Sequence, residues 1–374
     1  MKIVHVVEPF ASGIANFVRS LVENLNDDHH IIVHGEREYV MKSAEVKQFF
    51  KKGNVRFIRW KSAQREISLR KDTIAFMELY TILKRLKKQN HIDAVHLHSS
   101  KSGFLGRLAC RFAKIKTVVY TPNGAPFLVG NTRFSNYLYK QLEKLGSAFG
   151  GQVVCCSPSE WKAYQALGID ALNINNGIAV GRPVLPSTVA PGHHTPAAVL
   201  SDHTPAPSKF TVATSGRIVG QKNPALFNAI ASYFEEFEDF EFLWVGDGED
   251  RGQLTAKNIR ITGWLPSKET KTLIAHSQVY LSTSNFEGMP FAVLEALILK
   301  KPVLLSDCIG NRDIVHKGLN GDLFRNEDEA IVKILRYFNN QDMLDVMGEY
   351  SQQFCEQEFD VHSTFTSYRD LYKS

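Results

Sequence analysis

The segment that decides the fold runs Ser282-Thr283-Ser284-Asn285-Phe286-Glu287-Gly288-Met289-Pro290-Phe291-Ala292-Val293-Leu294-Glu295. An apolar strand, Val279 to Leu281, precedes it, and a second strand, Pro302 to Ser306, follows a helix that we expect to end near Lys300 and Lys301. The order strand, loop, helix, strand predicts one unit of a parallel sheet. The loop falls at the carboxyl end of its strand, where open α/β sheets bind ligands.

The predicted helix begins at Pro290, because proline lacks the N–H group that would have no partner in the first turn. The amides of Met289, Phe291 and Ala292 then point out of the helix start, where the helix dipole favours a phosphate or sugar oxygen. The segment from Gly288 to Ala292 is therefore predicted to bind a phosphate-bearing ligand.

Two carboxylates flank this predicted phosphate site. Glu287 lies in the loop, and Glu295 lies about 7.5 Å beyond Pro290 along the helix axis. Anionic side chains beside a diphosphate are unfavourable unless they accept hydrogen bonds from hydroxyl groups. One carboxylate would then contact a sugar ring and the other a ribose, so the predicted ligand is a nucleotide sugar. The alternative is a surface helix with two solvated glutamates.

The Glu-x7-Glu segment, with its flanking strands, resembles the donor-site motif of the retaining glycosyltransferases of family 4, which have the GT-B fold. The resemblance implies two doubly wound, Rossmann-like α/β domains that face a central cleft. Residues 1–180 would form the acceptor-binding domain, with a tail, 356–374, packed back on it. Residues 210–355 would form the nucleotide-sugar-binding domain, and the Pro-rich stretch 181–209 would be a linker or an insertion.

Length and composition agree with two soluble domains. The chain has 374 residues, of which 44% are hydrophobic and 22% charged, as in globular proteins. No apolar run reaches the length that spans a bilayer. The five cysteines lack zinc spacing, so we expect reduced thiols and a cytoplasmic protein.

Positive charge is concentrated in the first half of the chain. Between Met41 and Lys116 there are 19 lysines and arginines against five acidic residues, and the whole chain carries only +5. This excess predicts an anionic partner. The alternative is that the lysines are ordinary solvated residues of the protein surface. The run lacks a nucleic-acid recognition motif. We therefore expect no nucleic acid, but a lipid-linked glycan acceptor and peripheral contact with the anionic inner face of the cytoplasmic membrane.

A long helix is predicted within this basic region, from Leu69 to Gln89. Its apolar positions are expected to lie mostly in the core; they are Ile74, Met77, Leu79, Ile82, Leu83 and Leu86. The basic end of the helix suits the helix dipole or lipid headgroups equally.

Several residues of the first half correspond to acceptor or donor positions of the family. Gly13, in the loop before a helix expected from Ala15, would let the backbone approach the ligands. His98, Ser100 and Lys101 would face the acceptor. Metal binding by His96 and His98 has no evident third ligand nearby, and retaining GT-B enzymes need no metal, so no metal or other cofactor is expected.

Asn123 occupies a position where many relatives have a histidine that contacts the donor sugar. Asparagine can hydrogen-bond a hydroxyl but cannot carry a proton at neutral pH. The departure leaves open whether this side chain is catalytic or only positions the donor.

The second half contains the remaining donor residues. Gly216 forms a turn after a predicted strand, and Arg217 and Lys222 match the two cations that grip the donor diphosphate in family 4. These cations would neutralise the leaving diphosphate in place of a metal. Two further segments match the donor site: a Gly-x-Gly turn at Gly246, and Trp264-Leu265, where the family's backbone reads the nucleobase.

The resemblance implies a hexosyltransferase-type glycosyltransferase of bacterial surface polysaccharide or lipopolysaccharide synthesis. It would transfer a sugar from a UDP-sugar to a glycan hydroxyl with retention of configuration. Glu287, Arg217, Lys222 and Asn123 would be its catalytic residues. The alternatives are a nucleotide-sugar epimerase or sugar phosphorylase on the same fold, and a non-catalytic nucleotide-sugar-binding protein.

Overall fold

The computed structural model describes residues 1–10, 12–36, 43–50, 54–64, 67–89, 91–128, 132–179 and 209–374. These residues form two compact units, one of Met1–Gly177 with Val361–Ser374 and the other of Ile178–Asp360. The predicted linker or insertion, 181–209, lies outside the described residues except for Lys209.

The first unit contains a seven-stranded parallel sheet in the order β3-β2-β1-β4-β5-β6-β7. Its strands are β1 Lys2–Val7, β2 His29–Gly35, β3 Val55–Trp60, β4 Ala94–His98, β5 Val118–Thr121, β6 Gln152–Cys155 and β7 Ala171–Asn173. Its helices in the first part of the chain are α1 Ser12–Asn24, α2 Ser43–Phe49, α3 Leu69–Gln89, α4 Ser100–Ala113, α5 Arg133–Ser147 and α6 Pro158–Gln165. The inner strands β1, β2, β4, β5 and β6 are almost wholly buried on both faces, as is usual in parallel sheets.

The second unit contains a six-stranded parallel sheet in the order β10-β9-β8-β11-β12-β13. Its strands are β8 Phe210–Ser215, β9 Phe240–Val245, β10 Ile259–Ile261, β11 Val279–Ser282, β12 Val303–Ser306 and β13 Gly321–Phe324. Its helices are α7 Pro224–Tyr233, α8 Ser267–His276, α9 Phe291–Ile298, α10 Glu327–Phe338 and α11 Gln341–Glu358. The strand order reverses between β8 and β11, which creates a topological switch point.

The last helix, α12 Val361–Lys373, belongs to the first unit. Its buried residues Phe365 and Tyr368 contact the ring of Phe17 on α1, with ring centroids 5.6 Å apart in both pairs. The hydroxyl of Tyr372 hydrogen-bonds the ring of His96 at 2.6 Å. Aromatic packing and a buried hydrogen bond therefore hold the end of the chain on the first sheet.

The expectation that the apolar positions of α3 lie mostly in the core is confirmed for Leu79, Ile82, Leu83 and Leu86. Ile74 and Met77, by contrast, are 54% and 53% exposed. Leu79, Leu83 and Leu86 recur at helical spacing and bury one face, and the two exposed residues lie on the opposite side of the helix.

Two smaller observations bear on the expected class of protein. All five cysteines are buried and form no disulfide. None of the helices within the described residues combines the length and the apolar character needed to cross a bilayer.

Candidate functional site

The switch point of the second unit brings two of the predicted catalytic residues into contact. Lys222 follows β8 and Glu287 follows β11, and these strands are neighbours in the sheet. The Lys222 Nζ atom lies 2.6 Å from Glu287 Oε1. Because Glu287 is only 7% exposed, the pair is largely screened from water, and its attraction is stronger than that of a surface ion pair.

Two further side chains contact the carboxylate, and the sequence analysis missed both. Ser284 Oγ donates a hydrogen bond to Glu287 Oε1 at 2.7 Å. Gln221 Nε2 lies 3.4 Å from Glu287 Oε2 and donates to the Phe286 carbonyl at 3.2 Å. Both residues lie inside the loops that the motifs identified, but their side-chain directions are not readable from the sequence.

Polar contacts between the two loops fix the geometry of the pair. Thr283 Oγ1 donates to the Lys222 carbonyl at 2.8 Å. The Asn285 backbone amide donates to the Gln221 carbonyl, and its side-chain amide donates to the Gly220 carbonyl, both at 2.8 Å. The loops that carry Lys222 and Glu287 are therefore joined to each other by hydrogen bonds.

The ion pair keeps Lys222 charged. Burial lowers the pKa of this lysine, but the adjacent Glu287 carboxylate outweighs burial, and the pKa lies above its usual value. A permanently positive Nζ at the carboxyl edge of a parallel sheet is a suitable partner for phosphate.

The glycine turns after β8 and β9 pack directly against each other. Gly216 has φ 133° and Gly246 has φ 147°, and a Cβ on Gly246 would lie 2.1 Å from the Gly216 carbonyl oxygen. Only glycine fits this approach. Arg217 follows the first turn and pairs with the exposed Glu249 at 3.5 Å, so it is not part of the Lys222–Glu287 pair.

The start of α9 lies one residue later than predicted. Pro290 precedes the helix as its N-cap, and its carbonyl accepts the amides of Val293 and Leu294. Proline serves here as an acceptor, since the cap position contributes its carbonyl to the first turn. The helix ends at Ile298 instead of Lys300, because Lys300 adopts φ 58° and leaves the helical region.

The remaining donor residues lie around this helix and along the same sheet edge. Gly288 and Met289 are buried, and Phe291, Ala292 and Glu295 are half-buried on the helix. A Cβ on Gly310 would lie 2.5 Å from the Gly288 carbonyl oxygen, so the loop after β12 packs against the Glu287 loop. Trp264, which is 64% exposed, and half-buried Leu265 follow β10, in a neighbouring loop.

The predicted acceptor-side residues of the first unit have unlike environments. Gly13 lies in the first turn of α1, which begins at Ser12 and not at Ala15. Ser100 and Lys101 open α4, and Lys101 Nζ contacts Asp72 Oδ1 at 2.5 Å. His98 is fully buried, so its side chain offers no surface to an acceptor in this structure.

The expectation that no third ligand lies near His96 and His98 is wrong. His5 on β1 is in register with His96 on β4, and in the described part of the chain the three rings each offer a nitrogen within 4.8 Å of the others. The cluster is not evident in the sequence, because His5 and His96 are 91 positions apart in the chain. His5 Nδ1 lies 3.3 Å from His98 Nε2, and the other His5 nitrogen lies 3.0 Å from a ring nitrogen of His30.

Burial keeps this histidine cluster neutral. It lowers the pKa of His98 to about 3. Burial, together with the neighbouring histidines, holds the pKa values of His5 and His96 well below 6.5. The unfolded chain therefore binds protons at a higher pH than the folded chain does. Stability is complete above pH 6.5 and is lost as the pH falls below it.

We expect the free energy of unfolding to fall between pH 6.5 and 5, by about 2 kcal/mol for each buried histidine. Urea denaturation across this range measures it, before most carboxylates titrate. A His98→Gln variant should show a shallower pH dependence than the parent protein. An unchanged unfolding midpoint from pH 7 to pH 5 would contradict the buried, neutral state.

Asn123 lies two positions after the last residue of β5, in a turn with left-handed backbone. Its φ is 57° and that of Gly124 is 109°. Its side-chain amide donates to the Thr121 carbonyl at 3.2 Å. Asn123 is only partly buried, so this residue can still hydrogen-bond a ligand.

Comparison with known proteins assigns the chain to a family. Residues 11–182 match the family described as Glycosyltransferase Family 4, and residues 209–340 match that described as Glycosyl transferases group 1. The chain belongs to the family 4 glycosyltransferases. The expectation of a hexosyltransferase-type glycosyltransferase is confirmed.

Relatives of this glycosyltransferase match its sequence or its fold over most of its length. It is 28% identical to the UDP-Gal:α-D-GlcNAc-diphosphoundecaprenol α-1,3-galactosyltransferase of Escherichia coli, over 82% of this chain and 81% of that one. Sucrose-phosphate synthase from Thermosynechococcus elongatus superposes with a TM-score of 0.77 at 15% identity, over 100% and 98% of the chains. Anabaena HepE in complex with UDP and glucose superposes with a TM-score of 0.76 at 15% identity, over 99% and 98%. The predicted GT-B fold is confirmed.

Proposed function

We propose that this glycosyltransferase transfers a hexose from a UDP-sugar to a lipid-linked glycan acceptor, in bacterial surface polysaccharide or lipopolysaccharide synthesis, with retention of configuration. The Lys222–Glu287 pair at the switch point carries the proposal, because it joins a phosphate-binding cation to a hydroxyl-binding carboxylate. The Escherichia coli relative is named for UDP-galactose and a diphosphoundecaprenol acceptor, and HepE was crystallised with UDP and glucose.

The donor site needs three contributions, and one edge of the second sheet offers them all. Lys222 and Arg217 supply positive charge to the diphosphate, and the first turn of α9 supplies backbone amides. Glu287 binds hydroxyls of the sugar and Glu295 binds those of the ribose. Because cations and a helix start neutralise the leaving group, catalysis proceeds without a metal ion.

Retention follows from attack on the face that the leaving group departs from. The glycosidic bond breaks to give an ion-pair-like state, in which the sugar cation lies beside UDP. The acceptor hydroxyl attacks on the same face, and a phosphate oxygen of the leaving UDP takes its proton. Asn123 cannot accept that proton, so its role is to position the transferred sugar.

The first unit offers a surface suited to a lipid-linked acceptor. Phe134 and Tyr137 on α5 are 77% and 62% exposed, and Ile74 and Met77 are exposed on α3. Lysines and arginines lie on the same two helices. Exposed apolar rings beside basic residues suit an anionic membrane surface. We infer that this unit rests on the inner face of the cytoplasmic membrane.

Donor binding and transfer test the proposal together. UDP at 100 times its Kd adds about 2.7 kcal/mol to stability, so we expect UDP and UDP-hexoses to raise the melting temperature by several degrees and GDP and ADP to raise it less. Transfer should require the acceptor, persist in EDTA, and be faster when the acceptor lies in anionic vesicles than in neutral ones. NMR of the product should show the donor's anomeric configuration.

Other outcomes would distinguish the competing functions. Release of UDP only when the acceptor is present would speak against a nucleotide-sugar epimerase and a sugar phosphorylase. Binding of the UDP-sugar with no release under any condition would favour a non-catalytic binding protein. Loss of transfer in EDTA that Mg²⁺ restores would contradict the metal-independent mechanism.

A further inference from the structure

A fully buried carboxylate holds the turn that carries Asn123. Glu160, on α6, is 0% exposed. Its Oε1 atom accepts the Gly124 amide at 2.8 Å, and its Oε2 atom accepts the Cys156 amide at 2.9 Å. The side chain thus bridges the ends of the adjacent strands β5 and β6.

The Asn123 turn has a left-handed backbone. Asn123 has φ 57°, which is unfavourable for residues with a side chain, although asparagine tolerates it better than most. Gly124 has φ 109°, which glycine adopts freely. The side-chain amide of Asn123 donates a hydrogen bond to the Thr121 carbonyl, two residues away in the same segment. The hydrogen bond from Gly124 to Glu160 is a long-range contact that anchors the turn.

Stability does not explain a carboxylate at this position. Burial raises the pKa of Glu160, although the amides of Cys156 and Gly124 oppose that rise. Burying a charge is unfavourable even when it is hydrogen-bonded. A carboxylate does, however, accept two backbone N–H groups at once. A glutamine of the same size would direct an NH2 group at one of them.

We propose that Glu160 is a positioning residue for sugar transfer: through the Gly124 amide it fixes the turn that presents Asn123 to the transferred sugar. The inference rests on the proposed function, in which Asn123 contacts that sugar. Glu160 itself does not touch the donor. Its loss should therefore affect turnover, while the affinity for UDP, assigned to the second unit, stays the same.

Glu160→Gln is the test. We expect kcat with the UDP-sugar to fall at least about tenfold, the scale of a misplaced contact, and the Kd of UDP to remain that of the parent protein. Asn326→Ala is the matched control, because Asn326 Oδ1 caps α10, a helix that contains neither Glu160 nor Asn123. This control should lower the melting temperature but leave kcat unchanged.

A double-mutant cycle separates positioning from a merely structural role. If Glu160 acts through Asn123, Glu160→Gln should cause no further loss of kcat in an Asn123→Ala background. Additive losses, or a parental kcat with a lower melting temperature, would overturn the proposal. If Glu160→Gln does not fold, Glu160→Asp, with a shorter reach, should show the same split between kcat and Kd.

The outcome also distinguishes this inference from the proposed function. A parent protein that transfers no sugar from any UDP-hexose would refute the proposed function itself. A parent protein that transfers normally, alongside a Glu160→Gln variant of equal kcat, would refute the role of Glu160 alone.

Discussion

Glu287→Gln is expected to lower turnover at least about tenfold and, at the same time, to tighten the binding of UDP. The carboxylate of Glu287 lies 2.6 Å from Lys222 Nζ, the cation that we propose binds the donor diphosphate. A diphosphate must therefore displace Glu287 from the lysine. Glutamine removes the competing charge and frees Lys222 for phosphate, but it binds the sugar hydroxyls less strongly.

Steady-state kinetics and calorimetric titration with UDP measure the two effects separately. Glu241→Gln is a matched control, because Glu241 forms an ion pair with Arg260 at 2.7 Å at the amino end of β9, away from the site. This variant should retain parental kcat and UDP affinity. Near-normal turnover of Glu287→Gln would remove its catalytic role, and weaker UDP binding would show that it does not compete with phosphate.

The local chemistry of this site is readable from the sequence because its motifs are local. A proline beside a helix start, a glycine turn after a strand and two cations in one loop each follow from short segments. Strand–loop–helix–strand order also predicts the parallel sheet. These features sufficed to predict the fold, and they place the proposed donor residues along one edge of the second sheet.

Contacts between distant segments were less predictable. Lys222 and Glu287 were each expected at the donor site, but their direct pairing depends on β8 lying beside β11. The third histidine, His5, was missed because only the register of β1 against β4 places it beside His96. Glu160 lies 36 positions from Gly124 in the chain, and nothing in its own segment indicates that it reaches the turn after β5.

Burial was predicted well in central strands and less well in amphipathic helices. Residues such as Val279 to Leu281 lie in a strand with neighbours on both sides, so every side chain is buried. On α3 the apolar residues exceed what one buried face can hold, and Ile74 and Met77 remain exposed. An excess of apolar residues on a helix can thus indicate a second, exposed apolar surface.

Lys222→Ala should also lower turnover at least about tenfold, but its effect on UDP has the opposite sign to that of Glu287→Gln. The variant removes a charge-assisted hydrogen bond to phosphate, worth about 1.5–3 kcal/mol, so the Kd of UDP should rise about tenfold or more. It also leaves the carboxylate of Glu287 largely buried without its cation. We therefore expect a lower melting temperature, although the protein should still fold.

The double variant Lys222→Ala with Glu287→Gln separates stability from catalysis. Because it removes the buried Glu287 carboxylate that lacks its cation, the double variant should reverse most of the decrease in melting temperature caused by Lys222→Ala. It should not recover turnover, since neither the phosphate-binding charge nor the hydroxyl-binding carboxylate is present. Thermal denaturation and kinetics on the four proteins complete the cycle. Turnover that returned with stability would mean that Lys222 supports the fold and does not act on the leaving diphosphate.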